Sequence, residues 1–206
     1  MTDVFAELAR LGTATVHEAA ARAPVVDVPL IQVLPGSRVA GPARTVRCGQ
    51  GDNLMVHAAV AEALPGEVLV LTMPEPVPVA LVGELLVTQA KGRGVAALLV
   101  DAAIRDLDEL RELGLPIWAR YVRVQGAEKS VPGTIGEAVE VGGATIRQGD
   151  VVVLDGDGAV VVERERIEAV LVAARARAEH ESDKRAKLQA GALSYDLDGL
   201  RKLVES

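Results

Sequence analysis

The chain has 206 residues, enough for one domain with a sizeable core, and sets 22 Lys and Arg against 29 Asp and Glu, a formal net charge of −7. That balance excludes the basic surface a nucleic-acid binder needs, and the single cysteine, Cys48, excludes an intrachain disulfide or a thiolate-rich metal site. Half the residues are hydrophobic but only 2% are aromatic, so the core has to be built from Val in strands and Ala and Leu in helices.

Val4, Phe5, Leu8 and Leu11 recur at helical spacing. The opening Met1-Thr2-Asp3-Val4-Phe5 shows no basic segment ahead of an apolar run, and no stretch is long enough to span a bilayer. A cytoplasmic protein without membrane contact is expected. Thr15 and Glu18 have the spacing of a capping box that opens a short Ala-rich helix. Residues 39–46 read as a strand, with Cys48 as a small apolar filler at its end. Gly51-Asp52-Asn53 reads as the turn that caps a helix over 54–64, stopped by Pro65-Gly66. The apolar run 68–71 has the character of a strand buried on both faces. A helix is expected over 79–91 and stopped by Gly92 and Gly94. A second buried strand covers 95–100, ending at Asp101. A short polar helix over 105–113 and a third strand over 117–122 complete a parallel β-α-β series.

The second half changes character. Glu140-Val-Gly-Gly-Ala-Thr, Gln148-Gly-Asp and Asp155-Gly-Asp-Gly are turn signals between short Val-rich strands, an antiparallel meander. A helix over 165–190 would extend about 40 Å and is dense in Glu and Arg, which suggests an arm laid on a neighbouring subunit. The expected organisation is an α/β domain over 1–163 with a C-terminal helical arm over 164–206.

Several candidate sites fail on spacing. Asp155-Gly-Asp157-Gly158 lacks the further oxygen ligands of a calcium loop and reads as a hairpin turn. Gly92-Arg-Gly94 runs from helix to strand, opposite to a dinucleotide fingerprint. His17, His57 and His180 have no partner three or four residues away and read as ordinary polar residues. There is no Gly-x-Ser-x-Gly elbow. Lys91 and Lys129 sit in polar surroundings that do not suit Schiff-base chemistry. The strongest constellation is Arg105-Asp106, placed just after an apolar strand, where α/β proteins bind ligands. Arg can grip a carboxylate through its planar fork and Asp can hold a hard divalent ion. The local pattern alone favours a surface ion pair at a helix start.

The run from Gly83-Glu84-Leu85-Leu86 to Arg105-Asp106-Leu107-Asp108-Glu109 resembles the signature of the RraA-like family, which includes the 4-hydroxy-4-methyl-2-oxoglutarate / 4-carboxy-4-hydroxy-2-oxoadipate aldolases. That signature is an acidic residue, twenty intervening residues, then Arg-Asp-x-x-Glu/Asp, and the count holds here. Leu11-Gly-Thr-Ala-Thr-Val, Gly51-Asp-Asn-Leu, Pro65-Gly-Glu-Val-Leu-Val and Pro116-Ile-Trp-Ala-Arg resemble further family segments in the same order.

The resemblance implies a swivelling-domain-like α/β sandwich with a Val-rich central sheet, assembled as a homotrimer or hexamer. It implies a divalent-metal-dependent, class II-type aldolase that cleaves a 4-hydroxy-2-oxo acid to pyruvate and a second 2-oxo acid, with side oxaloacetate decarboxylase activity. By that resemblance Asp106 holds Mg²⁺ or Mn²⁺ and Arg105 contacts the pyruvyl group. The amides of Gly83, Glu84, Leu85 and Leu86 cradle the substrate carboxylate, Glu84 reaches the metal shell through water, and Glu181 is donated by the next subunit. The chain departs from the pattern at Glu84, where Asp is commonest, and at Ala80 and Ala102, where Gly is common; Ala102 would add a Cβ beside the pocket. Arg120-Tyr-Val-Arg also replaces small residues. Two other functions stay open: a diverged 2-keto acid lyase or decarboxylase, and a non-catalytic regulator that binds ribonuclease E. Such regulators resemble the aldolases but lack the Asp after the motif Arg.

Overall fold

The Val-rich runs become strands covered on both faces: every residue of Val68–Thr72 and Ala97–Ile104 is buried. The structure is a computed structural model that describes residues 4–21 and 24–205; Met1-Thr2-Asp3, the start of the opening segment without a basic stretch, lies outside them. In chain order the first elements are α1 (Val4–Leu11), α2 (Thr13–Ala19), β1 (Ile31–Gln32), β2 (Val39–Arg47) and α3 (Leu54–Glu62). Next come β3 (Val68–Thr72), β4 (Ala80–Val82), α4 (Glu84–Gly92), β5 (Ala97–Ile104), α5 (Leu107–Leu113) and β6 (Ile117–Val122). Then follow β7 (Thr134–Ile135), β8 (Val139–Val141), β9 (Ala144–Ile146), β10 (Val151–Asp155) and β11 (Gly158–Val162). The chain closes with α6 (Ile167–Gln189), α7 (Ser194–Leu197) and α8 (Arg201–Val204).

The main sheet runs β1-β6-β5-β3-β2-β10-β11, with β4 added beside β5 and β7 beside β2. Strands β2, β3, β5 and β6 are parallel neighbours. Each crossover in that series moves one strand in the same direction, so the right-handed rule puts α3, α4 and α5 on one face. They enclose the largest core cluster, which includes Val56, Val60, Leu71, Leu86, Val100 and Ile104. The β8–β9 hairpin closes the other face through Val139, Val141, Ala144 and Ile146, packed with Leu99 and Trp118. Its Gly142 and Gly143 both have positive φ, 53° and 77°, as a tight two-residue hairpin turn requires. A third cluster joins β10 and β11 to α1, α2 and the first turns of α6.

This is the expected α/β architecture, with the parallel half and the antiparallel β10–β11 pair where the sequence put them. Four local expectations are corrected. Residues 80–82 form strand β4 rather than the start of a helix, because Ala80, Leu81 and Val82 are all buried and pair with the far end of β5. Strand β5 continues past Asp101 to Ile104; Asp101 is buried inside it and accepts a hydrogen bond from Arg120 Nε. That partner holds the Arg120 guanidinium charged against the cost of burial. Helix α2 starts at Thr13, not at a Thr15 cap: Thr13 donates its N–H and hydroxyl to Asp155 at 2.8 and 2.7 Å. Asp155 also accepts from the Asp157 N–H, so its carboxylate is occupied in the turn, as a hairpin reading requires. Finally, Ala102 is fully buried in the core under α3–α5 rather than beside a pocket.

Candidate active site

Strand β5 delivers the site. Val100 pairs with Ala119 and Ala103 with Tyr121, so Asp101 and Ala102 together oppose Arg120 in a β-bulge. Pairing of β5 with β3 stops at Leu71–Val100, and β4 then takes over through Ala80–Ala103 and Val82–Ile104. A bulge re-aims the end of its strand; here it brings the Arg105 N–H onto the Val82 carbonyl at 3.1 Å. Asp106 follows in the left-handed region, φ 58° and ψ 45°, as the N-cap of α5. Asp visits that region more readily than most residues, and such strain persists where the surroundings over-determine it.

Those surroundings are close. The Glu84 N–H, at the start of α4, donates to Asp106 Oδ2 at 3.0 Å. Arg105 Nε lies 3.7 Å from the same oxygen, with both side chains substantially exposed, so their attraction is screened and modest. Gly83 and Gly126 flank the guanidinium: a Cβ on Gly126 would stand 2.6 Å from Arg105 Nη1, and one on Gly83 would stand 3.0 Å from Nε. The arginine therefore lies in a slot that two missing side chains create.

Above this slot opens a cleft of about 190 Å³, smaller than the roughly 300–1,000 Å³ of pockets for drug-sized ligands. Its floor carries Gly83, Leu85, Leu86, Arg105 and Asp106. Five of the residues singled out in the sequence are thus brought together. Glu84 joins only through its backbone; its carboxylate accepts from the Thr88 hydroxyl at 2.9 Å, and the side chain does not line the cleft. With the Glu84 amide engaged, the first-turn N–H groups of Leu85 and Leu86 are the ones left for an anion. Glu181 also stays away from the cleft, on α6, paired with Arg177 at 2.9 Å. No group of three or more His, Cys, Asp or Glu is arranged to hold a metal among the described residues. What Asp106 offers is a single hard oxygen ligand, which suits Mg²⁺ because that ion usually keeps several waters.

The rest of the lining was not read as a site in the sequence. It is formed by Asn53, the N-cap of α3, by His57 of α3, and by Gly126, Ala127 and Lys129. Asn53 Oδ1 and His57 Nε2 are the buried side-chain polar atoms without a hydrogen-bond partner among the described residues. Such orphans cost about 1–3 kcal/mol each. Contacts between residues far apart in the chain join these segments, so no local spacing could have announced them. Cys48, by contrast, is inert: burial first, and the nearby Asp52 charge second, push its thiol up to about 12.

Asp52 fastens the wall. It is fully buried and accepts the N–H groups of Leu54, Ser130 and Val131 at 2.8, 2.6 and 3.0 Å. Parallel bridges from Asp52 to Glu128 and from Ala80 to Gly126 complete the fastening. Burial alone would raise the Asp52 pKa, but these hydrogen bonds outweigh it and the carboxyl sits below its ordinary value. A depressed carboxylate contributes stability that is fully present above its unfolded pKa of about 3.9 and is lost as pH falls through the folded value. The stability gap between wild type and Asp52→Asn, read from urea midpoints, is therefore expected to be constant above about pH 5 and to close on acidification below about pH 4. A gap independent of pH over that interval would show that the carboxylate charge is not what holds the wall.

The α/β scaffold thus carries, beyond the carboxyl ends of its parallel strands, a small cleft lined by an Arg and an Asp. The profile of the RraA-like family, described as Aldolase/RraA, matches residues 13–161. A Halalkalibacterium halodurans protein named "Putative 4-hydroxy-4-methyl-2-oxoglutarate aldolase" is 38% identical over 150 residues, 72% of this chain and 71% of that one. Among solved structures, Streptomyces coelicolor RraAS2, described as an unusual member of the RNase ES inhibitor RraA protein family, superposes with a TM-score of 0.80 at 30% identity. That match covers 90% of this chain and 96% of the other. The RNA-processing inhibitor RraA from Thermus thermophilis gives 0.68 at 25% identity, covering 73% and 91%. The chain belongs to the RraA-like family, as its Glu84-to-Glu109 signature implied.

Proposed function

We propose that the protein is a divalent-metal-dependent aldolase that cleaves a 4-hydroxy-2-oxo acid to pyruvate and a second 2-oxo acid, and that it also decarboxylates oxaloacetate. The observation that carries this reading is the placement of Arg105 and Asp106 in one cleft, beside the first-turn amides of α4. Both reactions develop negative charge on the oxygen of a pyruvate enolate, and preorganised positive groups aimed at such charge are commonly the largest source of rate enhancement.

The carboxylate of the 2-oxo acid docks on the amides of Leu85 and Leu86. Arg105, held in its glycine slot, donates to the 2-oxo oxygen and shares its developing charge. Asp106 would hold Mg²⁺ or Mn²⁺ together with waters, and the ion supplies Lewis-acid polarisation of the same carbonyl. Lys129, which also lines the cleft, would neutralise a second carboxylate. The apolar surface of the C-terminal region, with Leu188, Leu193, Leu197, Leu200 and Leu203 all exposed, supports a trimer or hexamer in which α6 lies on a neighbour and Glu181 nears that neighbour's cleft. Sedimentation velocity reads the assembly, and a monomer would remove that part of the reading. Among the described residues no helix is long and apolar enough to cross a membrane.

The test couples pyruvate release to lactate dehydrogenase, offering 4-hydroxy-4-methyl-2-oxoglutarate and oxaloacetate with Mg²⁺ and then with EDTA, against protein-free controls. Mg²⁺-dependent turnover of the hydroxy acid is expected. Turnover of oxaloacetate alone would make the protein a decarboxylase. Turnover of neither would favour the reading suggested by the likeness to RraAS2, binding to a ribonuclease, which a pull-down with ribonuclease E would then check.

A further inference from the structure

We propose that Asn53 and His57 form a hydroxyl-recognition subsite in the cleft that holds Arg105, and that His57 Nε2 takes the hydroxyl proton when the carbon–carbon bond breaks. This rests on the proposed lyase reaction and assigns its proton acceptor.

The argument begins with the amide of Asn53. Its Nδ2 donates to the Leu81 carbonyl at 2.8 Å, which fixes the amide plane and leaves Oδ1 as an acceptor. The residue is only 7% exposed, and Oδ1 has no partner in the protein. Asn53 is the N-cap of α3 and His57 stands one turn into that helix, and both side chains reach the same cleft. Its Nε2 is also buried and unpartnered. Both residues line the cleft that holds Arg105 and Asp106. The Leu81 carbonyl that anchors Asn53 belongs to β4, whose Val82 carbonyl anchors the Arg105 backbone, so one short strand sets wall and floor in register.

An unpaired amide oxygen selects the group it meets. A carboxylate or carbonyl oxygen of the ligand would face it lone pair to lone pair. An O–H can donate to it, and because a hydroxyl has a single proton it serves one acceptor at a time: Asn53 Oδ1 holds the O–H in the resting pose, and the same proton turns to the neighbouring His57 Nε2 for the reaction. The ligand that fits is therefore a 2-oxo acid bearing a hydroxyl on the carbon beyond its reacting bond. With the imidazole proton on Nδ1, the Nε2 lone pair takes the hydroxyl proton. The O–H electrons become the new C4=O bond, the C3–C4 bond breaks, and its electron pair forms the enolate beside Arg105. The imidazolium N–H is then stabilised by Asn53 Oδ1 and passes its proton to solvent, while solvent supplies the C3 proton of pyruvate. No oxidant or reductant is needed. Oxaloacetate decarboxylation forms the same enolate without a hydroxyl to deprotonate, so it bypasses His57.

That difference supplies the experiment. In His57→Gln, with Mg²⁺, cleavage of 4-hydroxy-4-methyl-2-oxoglutarate is expected to fall by about 10²–10⁴-fold in kcat, the range of a lost general base, and by at least about tenfold more than oxaloacetate decarboxylation falls. Equal loss of both reactions would mark a structural role and overturn the assignment, as would no loss of either. Binding is measured independently of turnover by titration calorimetry with two stable probes, 2-hydroxy-2-methylsuccinate and 2-methylsuccinate. Wild type should prefer the hydroxy acid by at least about tenfold, and both His57→Gln and Asn53→Leu should collapse the ratio, since a site built for a hydroxyl rejects the analogue that lacks it. If wild type turns over neither substrate yet shows this preference, the proposed reaction fails and the subsite stands. If wild type binds both probes alike, the subsite fails whatever the activity.

Discussion

Asp106→Asn is expected to lower Mg²⁺-dependent pyruvate release by about a thousandfold, a loss of about 4 kcal/mol of transition-state stabilisation, with fold and assembly unchanged. Asn is the informative replacement because it also tolerates the left-handed conformation at φ 58°. Its amide oxygen can still accept the Glu84 N–H, now 3.0 Å from Asp106 Oδ2. What it removes is the negative charge that suits a hard cation. Asp106→Ala would confound the result by adding about 1–2 kcal/mol of backbone strain. Wild-type turnover in Asp106→Asn, with an unchanged requirement for Mg²⁺, would place the metal elsewhere.

The second large effect is expected at a residue with no chemistry of its own. Gly83→Ala puts a methyl group where ideal geometry leaves 2.4 Å to Asp106 Oδ2 and 3.1 Å to Arg105 Cγ. The backbone does not object, since φ is −142°, extended and open to any residue. The cheap response is for the two side chains to swing aside, which spares the fold and spoils the site. A misplacement of about 1 Å can cost about 10²-fold in rate, so turnover should fall by that order while the urea midpoint barely moves. A large drop in the midpoint would instead mean that the backbone yields, and near-normal turnover would mean that the working position of Asp106 differs from the one described.

The sequence made the scaffold legible wherever apolar runs were bounded by turn residues. The runs at 68–71 and 117–122 became strands at those positions, and Gly142-Gly143 became a hairpin turn. It misled where a strand borrows its partner from far away. Residues 80–82 read as helix because Val82, Leu85, Leu86 and Ala90 continue at helical spacing, yet pairing with the end of β5 wins. Asp101 read as a strand terminus because a charge after six apolar residues resembles an exit to solvent; its partner Arg120 lies on another strand. The site divided along the same line. Arg105, Asp106 and the α4 amides stand in one motif of short range. Asn53, His57 and Lys129 reach the cleft through the bridges 52–128 and 80–126, which no local pattern encodes. Their histidine and lysine looked ordinary because no spacing set them apart.

The scarcity of aromatic residues has a spectroscopic consequence. Trp118 is the sole tryptophan, 1% exposed on the sheet face away from α3–α5, with its indole N–H donated to the Asp155 carbonyl at 2.8 Å. Asp155 in turn holds Thr13 at the start of α2. The tryptophan emission of this protein therefore comes from one buried chromophore that ties β6, the β10–β11 turn and the N-terminal helices together. It should shift to the red when that side of the sheet opens and stay silent when a ligand enters the cleft, giving an optical signal for unfolding that substrate and metal do not contaminate.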